Sequence, residues 1–186
     1  MERANVWQIE VVKSRAISII IGISSLVMLM AFGAWVKIPI PGTPVPITLQ
    51  TMFVLLGGAI LGGYGGLAQL IYIILGAMGV PIFACGLGLS GPTGGYLIGF
   101  VVSAFVIGSM VRVKRNLSWI IFSMIIGTII IYLFGALQLG LFLPTEFKSV
   151  VALGILPFVP GDILKLFIAS LVYYKFQAKF AQIFNI

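Results

Sequence analysis

The stretch "LPFVPGDILKLFIASLVYY", residues 156–174, decides how the chain is to be read. It is apolar for most of its length, is interrupted near its start by Pro157, Pro160 and Gly161, and carries Asp162 and Lys165 three positions apart. The whole chain of 186 residues contains only four Asp plus Glu. One of those acids, set beside a lysine in an apolar run, requires a physical reason.

Working outward, the chain is 61% hydrophobic and 8% charged, with a mean hydropathy of +1.22. A soluble domain carries roughly 25% charged residues, so a single water-facing core cannot absorb this apolar excess. Inside a bilayer, backbone groups must be satisfied within their own segment, which favours helices. The chain therefore reads as an all-α integral membrane protein. At about 20 residues per crossing, six spans fall at about 16–36, 47–62, 65–80, 93–111, 117–141 and 149–174. The second and third are short and meet at "GGYGG", residues 62–66. The expected layout is a cytoplasmic segment 1–14, one six-helix membrane domain 15–175 and a cytoplasmic tail 176–186.

The charges orient these spans. Arg3, Lys13 and Arg15 precede the first, Arg112, Lys114 and Arg115 separate the fourth from the fifth, and Lys175 and Lys179 follow the sixth. Six spans put all of these on one side, against Lys37 and Lys148 with Glu146 on the other. The excess of Lys and Arg on cytoplasmic connections then predicts a multi-pass membrane protein with both termini in the cytoplasm. Read as a leader peptide cleaved at "AFGA", residues 31–34, the start would leave five spans and set the Arg112 cluster against that rule. Trp35 and Trp119 fall at opposite faces, as interfacial anchors do. The net charge of +7 is scattered between apolar runs, so it reads as an orientation signal and not as a nucleic-acid surface.

Composition also removes function classes. With no histidine and one cysteine, Cys85, the chain builds no disulfide and no His/Cys metal site, and neither a metal nor a cofactor is expected. Cys85 reads as a small packing residue. There is no GxxxxGK[ST] phosphate loop and no histidine base for a serine or cysteine nucleophile, so the chain does not read as an enzyme.

All nine prolines, Pro39, Pro41, Pro44, Pro46, Pro81, Pro92, Pro144, Pro157 and Pro160, map to the outer side. Irregular backbone near membrane depth is tolerated where protein or a water-filled cavity satisfies it. The asymmetry therefore predicts a structured outer cap or pocket, with stiff loops as the simpler alternative. Gly91, Gly95, Gly99 and Ser103 recur at every fourth position, and Gly58 and Gly62 form a second close-packing pair. Ser14, Ser18 and Gly22 line a small-residue face of the first span, for packing or for a partner.

Back in the opening stretch, Lys165 lies ten residues from Lys175. At 1.5 Å per residue that is about 15 Å, near the middle of a layer about 30 Å thick. Asp162 shares its helix face at i, i+3. Asp162 as a mere helix cap and Lys165 as a snorkelling side chain is the plain reading. An ionisable residue inside a span costs about 2.5 to 3.5 kcal/mol on insertion scales, pairing offsets only part of that, and the Pro160 and Gly161 break resembles those that line membrane binding sites. A pocket there offers an acceptor carboxylate, a cationic donor and helix-start amides, for a small ligand bearing both donors and acceptors. In "SGPTGGYLIGF", residues 90–100, Thr93 and the amides of Gly94 and Gly95 add hydrogen-bonding groups and Tyr96 adds a ring. In "PIPGTPVPITLQT", residues 39–51, the proline-rich crossing with Gly42 and Thr43 folds as a lid, followed by Thr48, Gln50 and Thr51 as candidate lining or interfacial residues.

At this point "VPITLQT", "GPTGGYLIGF" and "PGDILK", residues 45–51, 91–100 and 160–165, together resemble the biotin-specific substrate-binding subunit of energy-coupling-factor (ECF) transporters, the BioY family. The resemblance covers about residues 15–175. It implies an S component of the bacterial plasma membrane that binds biotin with high affinity from outside and works with a transmembrane coupling protein and two cytoplasmic ATPases. It also implies a site near the outer face, under the first loop, between spans four and six. The binding residues carried onto this chain are Asp162, Lys165, Tyr96, Gly94, Gly95, Thr93, Thr43 and Gln50. Such subunits commonly contact the coupling protein through two alanines four apart in the first helix. Here "GISSLVML", residues 22–29, places Ser24 and Met28 there, a departure that leaves Ser14, Ser18, Gly22, Ser24 and Met28 as the candidate partner face. Two further classes are an autonomous proton-coupled vitamin carrier acting as an oligomer, and a membrane scaffold without ligand.

Overall fold

The structure, a computed structural model, describes residues 15–143 and 146–184. Arg3, Lys13, Ser14 and Pro144 lie outside the described residues. The elements in order are α1 (Arg15–Trp35), β1 (Lys37–Ile38), β2 (Ile47–Thr48), α2 (Gln50–Leu61), α3 (Gly63–Ala77), a 3-10 turn (Gly88–Ser90), α4 (Gly94–Val113), α5 (Leu117–Phe142), α6 (Phe147–Gly154) and α7 (Val159–Phe184).

Apolar periodicity and length make α1, α4 and α5 long enough to cross a membrane, and α6 with α7 makes a fourth span bent by 50° at its break. Outward faces carry Ile20, Ile21, Met28, Phe32, Leu133 and Leu137, all exposed, as suits lipid rather than water. The chain is a helical multi-pass membrane protein. The segments expected as the second and third spans form helices of 12 and 15 residues, short of a full crossing. A single residue, Gly62, separates them instead of the five-residue turn. It sits at φ +61, where a side chain would be strained, and the Arg112 guanidinium occupies the space beside it.

The opening stretch differs from expectation in a second way. The sixth segment is two helices, α6 and α7, separated by the turn that contains Pro157, with Pro160 in the first turn of α7. Proline tolerates that position because its missing N–H has no helical acceptor there. Helix α7 then runs on past Lys175 to Phe184. Lys165 is six residues from Val159, about 9 Å along the axis. Its burial comes from neighbouring helices.

The connections at that end form one cap. A two-residue antiparallel pairing of β1 with β2 closes the first loop and is the departure from an all-α chain. Trp35 Nε1 donates to the Pro81 carbonyl at 3.3 Å and Lys37 Nζ to that of Ala84 at 2.8 Å, tying the first loop to the second. Gln138 Nε2 on α5 donates to the carbonyls of Leu89 and Gly91, at 2.7 and 2.8 Å. Every described proline lies in this cap or at the start of α7.

Small residues set the helix spacing. A Cβ at Gly58 of α2 would lie 2.8 Å from the Ala104 oxygen and 2.9 Å from its Cα, so α2 and α4 touch backbone to backbone. On the next face of α4, Gly99 meets the Ile131 backbone of α5. Gly95, Gly99 and Ser103 thus pack α4 on α5 within the chain, while Gly91 lies ahead of α4 against Leu87. A Gly58→Val variant should lose about 1–3 kcal/mol through overpacking, visible as a lower melting temperature in detergent. Gly86→Ala, where nothing lies within 4 Å of the added methyl, should melt like the parent.

Candidate functional site

Asp162 and Lys165 sit in the first two turns of α7, where the Pro160 start turns this face toward α2 and α5. Both are buried, Asp162 at 5% exposure and Lys165 at 8%. Lys165 therefore does not snorkel to an interface. Its Nζ lies 2.7 Å from Asp162 Oδ1. Thr51 at the start of α2 donates its hydroxyl to the same Oδ1 at 3.0 Å and accepts from Lys165 Nζ at 3.4 Å. From α5, the Tyr132 hydroxyl donates to Oδ2 at 2.8 Å. The carboxylate is engaged by side chains from three helices and does not serve as a helix cap. An acid in the first turn of a helix also gains from the helix dipole.

Counting donors and acceptors shows what this cluster leaves over. A carboxylate has about four acceptor positions and an ammonium three protons. Three of Asp162's positions are taken, by Lys165, Thr51 and Tyr132, and two of Lys165's protons point at Asp162 and Thr51. One acceptor position on Oδ2 and one N–H of Lys165 remain. Both residues line one pocket. Its walls are aromatic and apolar, from Phe83, Tyr96, Leu97, Phe100, Ile131, Tyr132 and Phe158, and the first loop covers it with Val45, Pro46 and Thr48.

Gln50 and Thr93 complete the polar lining. The Tyr72 hydroxyl donates to the Ile82 carbonyl at 2.6 Å and accepts from Gln50 Nε2 at 2.8 Å. That relay turns the Gln50 amide so that its oxygen faces away from Tyr72, and it ties the pocket wall to the second loop. Tyr96 contributes its ring, while its hydroxyl donates to the Gly154 carbonyl at 2.6 Å and holds the end of α6. Phe158 meets the Tyr96 ring edge-on with centroids 6.5 Å apart.

Of the residues singled out from sequence, Asp162, Lys165, Tyr96, Thr93 and Gln50 come together on this wall. Gly94 and Gly95 instead face α5 and the 3-10 turn: an added Cβ would strike the carbonyl oxygens of Leu89 and Phe134. Their place is the close approach that lets Thr93 and Tyr96 reach the pocket. Thr43 lies over the cap, in a shallow depression with Lys37, Pro39 and Cys85, where its hydroxyl accepts from the Val45 amide at 3.3 Å. Cys85 is a half-buried loop residue, its thiol 3.8 Å from the Pro44 carbonyl, and not an interior packing residue. On α1, Ser18 and Gly22 are turned into the protein, with Leu61 and Phe184 packed against Gly22. The outward face carries Ser24 and Met28. Tyr132 and Tyr72 escape sequence reading because a lone tyrosine in an apolar helix carries no local signal. "IYLF", residues 131–134, shows its role only once Asp162 stands opposite.

A buried ion pair with residual donor and acceptor capacity, aromatic walls and a cross-tied loop cap define a membrane-embedded small-molecule binding protein. The pattern of the BioY family matches residues 5–182, and the chain belongs to that family. "Biotin transporter BioY" of Thermotoga maritima is 43% identical over 154 residues, covering 80% of this chain and 89% of that protein. "Probable biotin transporter BioY" of Pyrococcus horikoshii is 37% identical over 170 residues, covering 89% and 98%. The fold matches the crystal structure of the S-component for biotin from an ECF-type ABC transporter with a TM-score of 0.74, at 24% identity, over 86% of this chain and 92% of that one.

The network predicts unequal costs for breaking the pair. Asp162→Ala leaves the Lys165 ammonium with only Thr51, at 3.4 Å, and should destabilise the fold by about 3–5 kcal/mol. Lys165→Met leaves the carboxylate two hydroxyl donors and should cost less. The double variant Asp162→Leu/Lys165→Met, which buries no charge, should recover most of the loss in thermal or denaturant unfolding of the detergent-solubilised protein.

Proposed function

We propose that this chain is the high-affinity biotin-binding subunit of an ECF-type uptake transporter. It takes biotin from outside and delivers it across the membrane with a coupling protein and two ATPases, and is not itself an enzyme. The observation that carries the reading is the leftover acceptor position on Asp162 beside the leftover donor on Lys165, at the base of an aromatic pocket. Biotin's ureido ring presents N–H donors and a carbonyl side by side, and matches that pair. Its sulfur ring and aliphatic tail suit walls of Tyr96, Phe100 and Phe158, and its carboxylate suits Thr93 and the polar rim. The family membership, and relatives named as biotin transporters, support the substrate.

In this reading six segments span or enter the bilayer with both termini cytoplasmic, as the basic clusters around Arg112 and Lys175 favour. Asp162, Lys165, Gln50, Thr93 and Tyr96 contact the ligand, with Thr51 and Tyr132 orienting the carboxylate. Gly94 and Gly95 shape the start of α4, and Thr43 with Gly42 at φ +87 forms part of the lid. The coupling protein docks along the outward face of α1 around Ser24 and Met28. Energy comes from the partner ATPases, consistent with a chain that has no phosphate loop of its own.

Titration of the purified chain with biotin and other vitamins tests the substrate: biotin should bind tightly, and tighter binding of another vitamin overturns the choice. Asp162→Asn and Lys165→Ala should each weaken biotin binding by about 10- to 100-fold, the loss expected when a hydrogen bond to a charged group is removed. Wild-type affinity in both variants rejects the site. Biotin uptake in vesicles lacking any ATPase, if abolished by collapsing a proton gradient, would favour an autonomous carrier instead.

A further inference from the structure

At the end of the molecule opposite the cap, a second cavity remains that the proposed transport reading does not use. Arg15 at the start of α1, Arg112 at the end of α4 and Arg115 in the α4–α5 link line it together with Gly63, Tyr64, Leu67 and Phe105. Three guanidinium groups from three separate elements thus converge on one opening. The other described basic residues near this end are held on rings: Lys114 over Trp119, and Lys175 and Lys179 over Phe176.

No carboxylate among the described residues answers the arginines. Asp162 is committed to Lys165, and Glu146 starts α6 at the cap end. The cluster is also placed by structure. Arg112 fills the space that a side chain at position 62 would need, and the Arg115 carbonyl accepts from Gln177 Nε2 of α7 at 3.2 Å. Unpaired like charges held together in this way repel one another until an anion is supplied.

The remaining walls say which anion. Phe105 is two turns from Arg112 along α4, about 10 Å deeper toward the membrane interior. It lies against Gly66 of α3, and both Phe105 and Leu67 remain exposed, at 42% and 41%. The cavity is therefore cationic where the three arginines meet and apolar along Leu67 and Phe105. We propose that this cavity binds an anionic phospholipid, its phosphate held by Arg15, Arg112 and Arg115 and an acyl chain lying along Leu67 and Phe105. Arginine suits the task because its planar fork engages two phosphate oxygens at once, and basic pockets between helices at a membrane surface recognise anionic headgroups.

The test is thermal unfolding of the full-length, delipidated chain in neutral detergent with phosphatidylglycerol, phosphatidylcholine or inorganic phosphate added. Phosphatidylglycerol should raise the melting temperature by several degrees, and phosphatidylcholine and inorganic phosphate should not. Arg15→Gln/Arg115→Gln should abolish that difference while keeping the gel-filtration profile and lipid-free melting temperature of the parent. Lys148→Gln, which removes a cation at the other end, should keep the difference. Equal stabilisation by both lipids, an inorganic phosphate effect as large as that of phosphatidylglycerol, or an unchanged response in the double variant each overturns the proposal. So does selectivity that emerges only in Glu10→Gln, because the N-terminal segment would then be the occupant. Biotin affinity need not change in any of these arms, which separates failure here from failure of the transport reading.

Discussion

A carboxylate and an ammonium buried among apolar helices are tolerated only when each answers the other and their remaining capacity is used. Asp162 and Lys165 meet that condition by recruiting Thr51 from α2 and Tyr132 from α5, so that the start of α7 is held against two other helices by charge-assisted bonds. The requirement runs outward from there. Tyr132 must sit opposite Asp162, so α5 must approach, and Gly95 and Gly99 on α4 let it do so. Thr51 must reach the same carboxylate, so α2 must begin at the depth of the first turn of α7, which the cap and the short α2 permit.

The cap and the pair form one device. The β1–β2 pairing, the Trp35 and Lys37 bonds to the second loop and the Gln50–Tyr72–Ile82 relay join both outer loops to the pocket wall. Carbonyls of an irregular segment are poor neighbours for lipid, and here several are consumed by side chains of the helices beneath. The same bonds hold the loops over an ion pair that leaves one donor and one acceptor for something else. In the proposed transport reading, stability and recognition use the same groups, which would account for an ionic pair where apolar residues would pack as well.

The two ends of the molecule follow different electrostatic rules. At the cap end, charge is scarce, and Lys37 is bonded to a loop carbonyl. At the other end arginines accumulate around the Gly62 junction without acidic partners among the described residues. Such an imbalance suits an environment that is itself anionic, as a phospholipid surface is.

The membrane character, the break before Asp162, the loop end rich in proline and the packing role of Gly95, Gly99 and Ser103 were legible in the sequence, because hydropathy, proline and glycine act on the local chain. Asp162, Lys165, Tyr96, Thr93 and Gln50 were legible as well, as polar groups in apolar surroundings with nothing nearby to explain them. The continuation of α7 past Lys175 to Phe184 was not, because it depends on what packs against Tyr173 and Phe180. Nor were Tyr132 and Tyr72, whose importance is a matter of which atoms stand opposite across more than twenty or thirty positions of chain. Nor was the inward turn of Ser18 and Gly22, since a small-residue face reads the same whether its neighbour is another helix of the chain or a partner. Local chemistry is written in neighbouring residues and survives without the fold. Pairing across helices is a property of distance, and only the tertiary structure assigns distances.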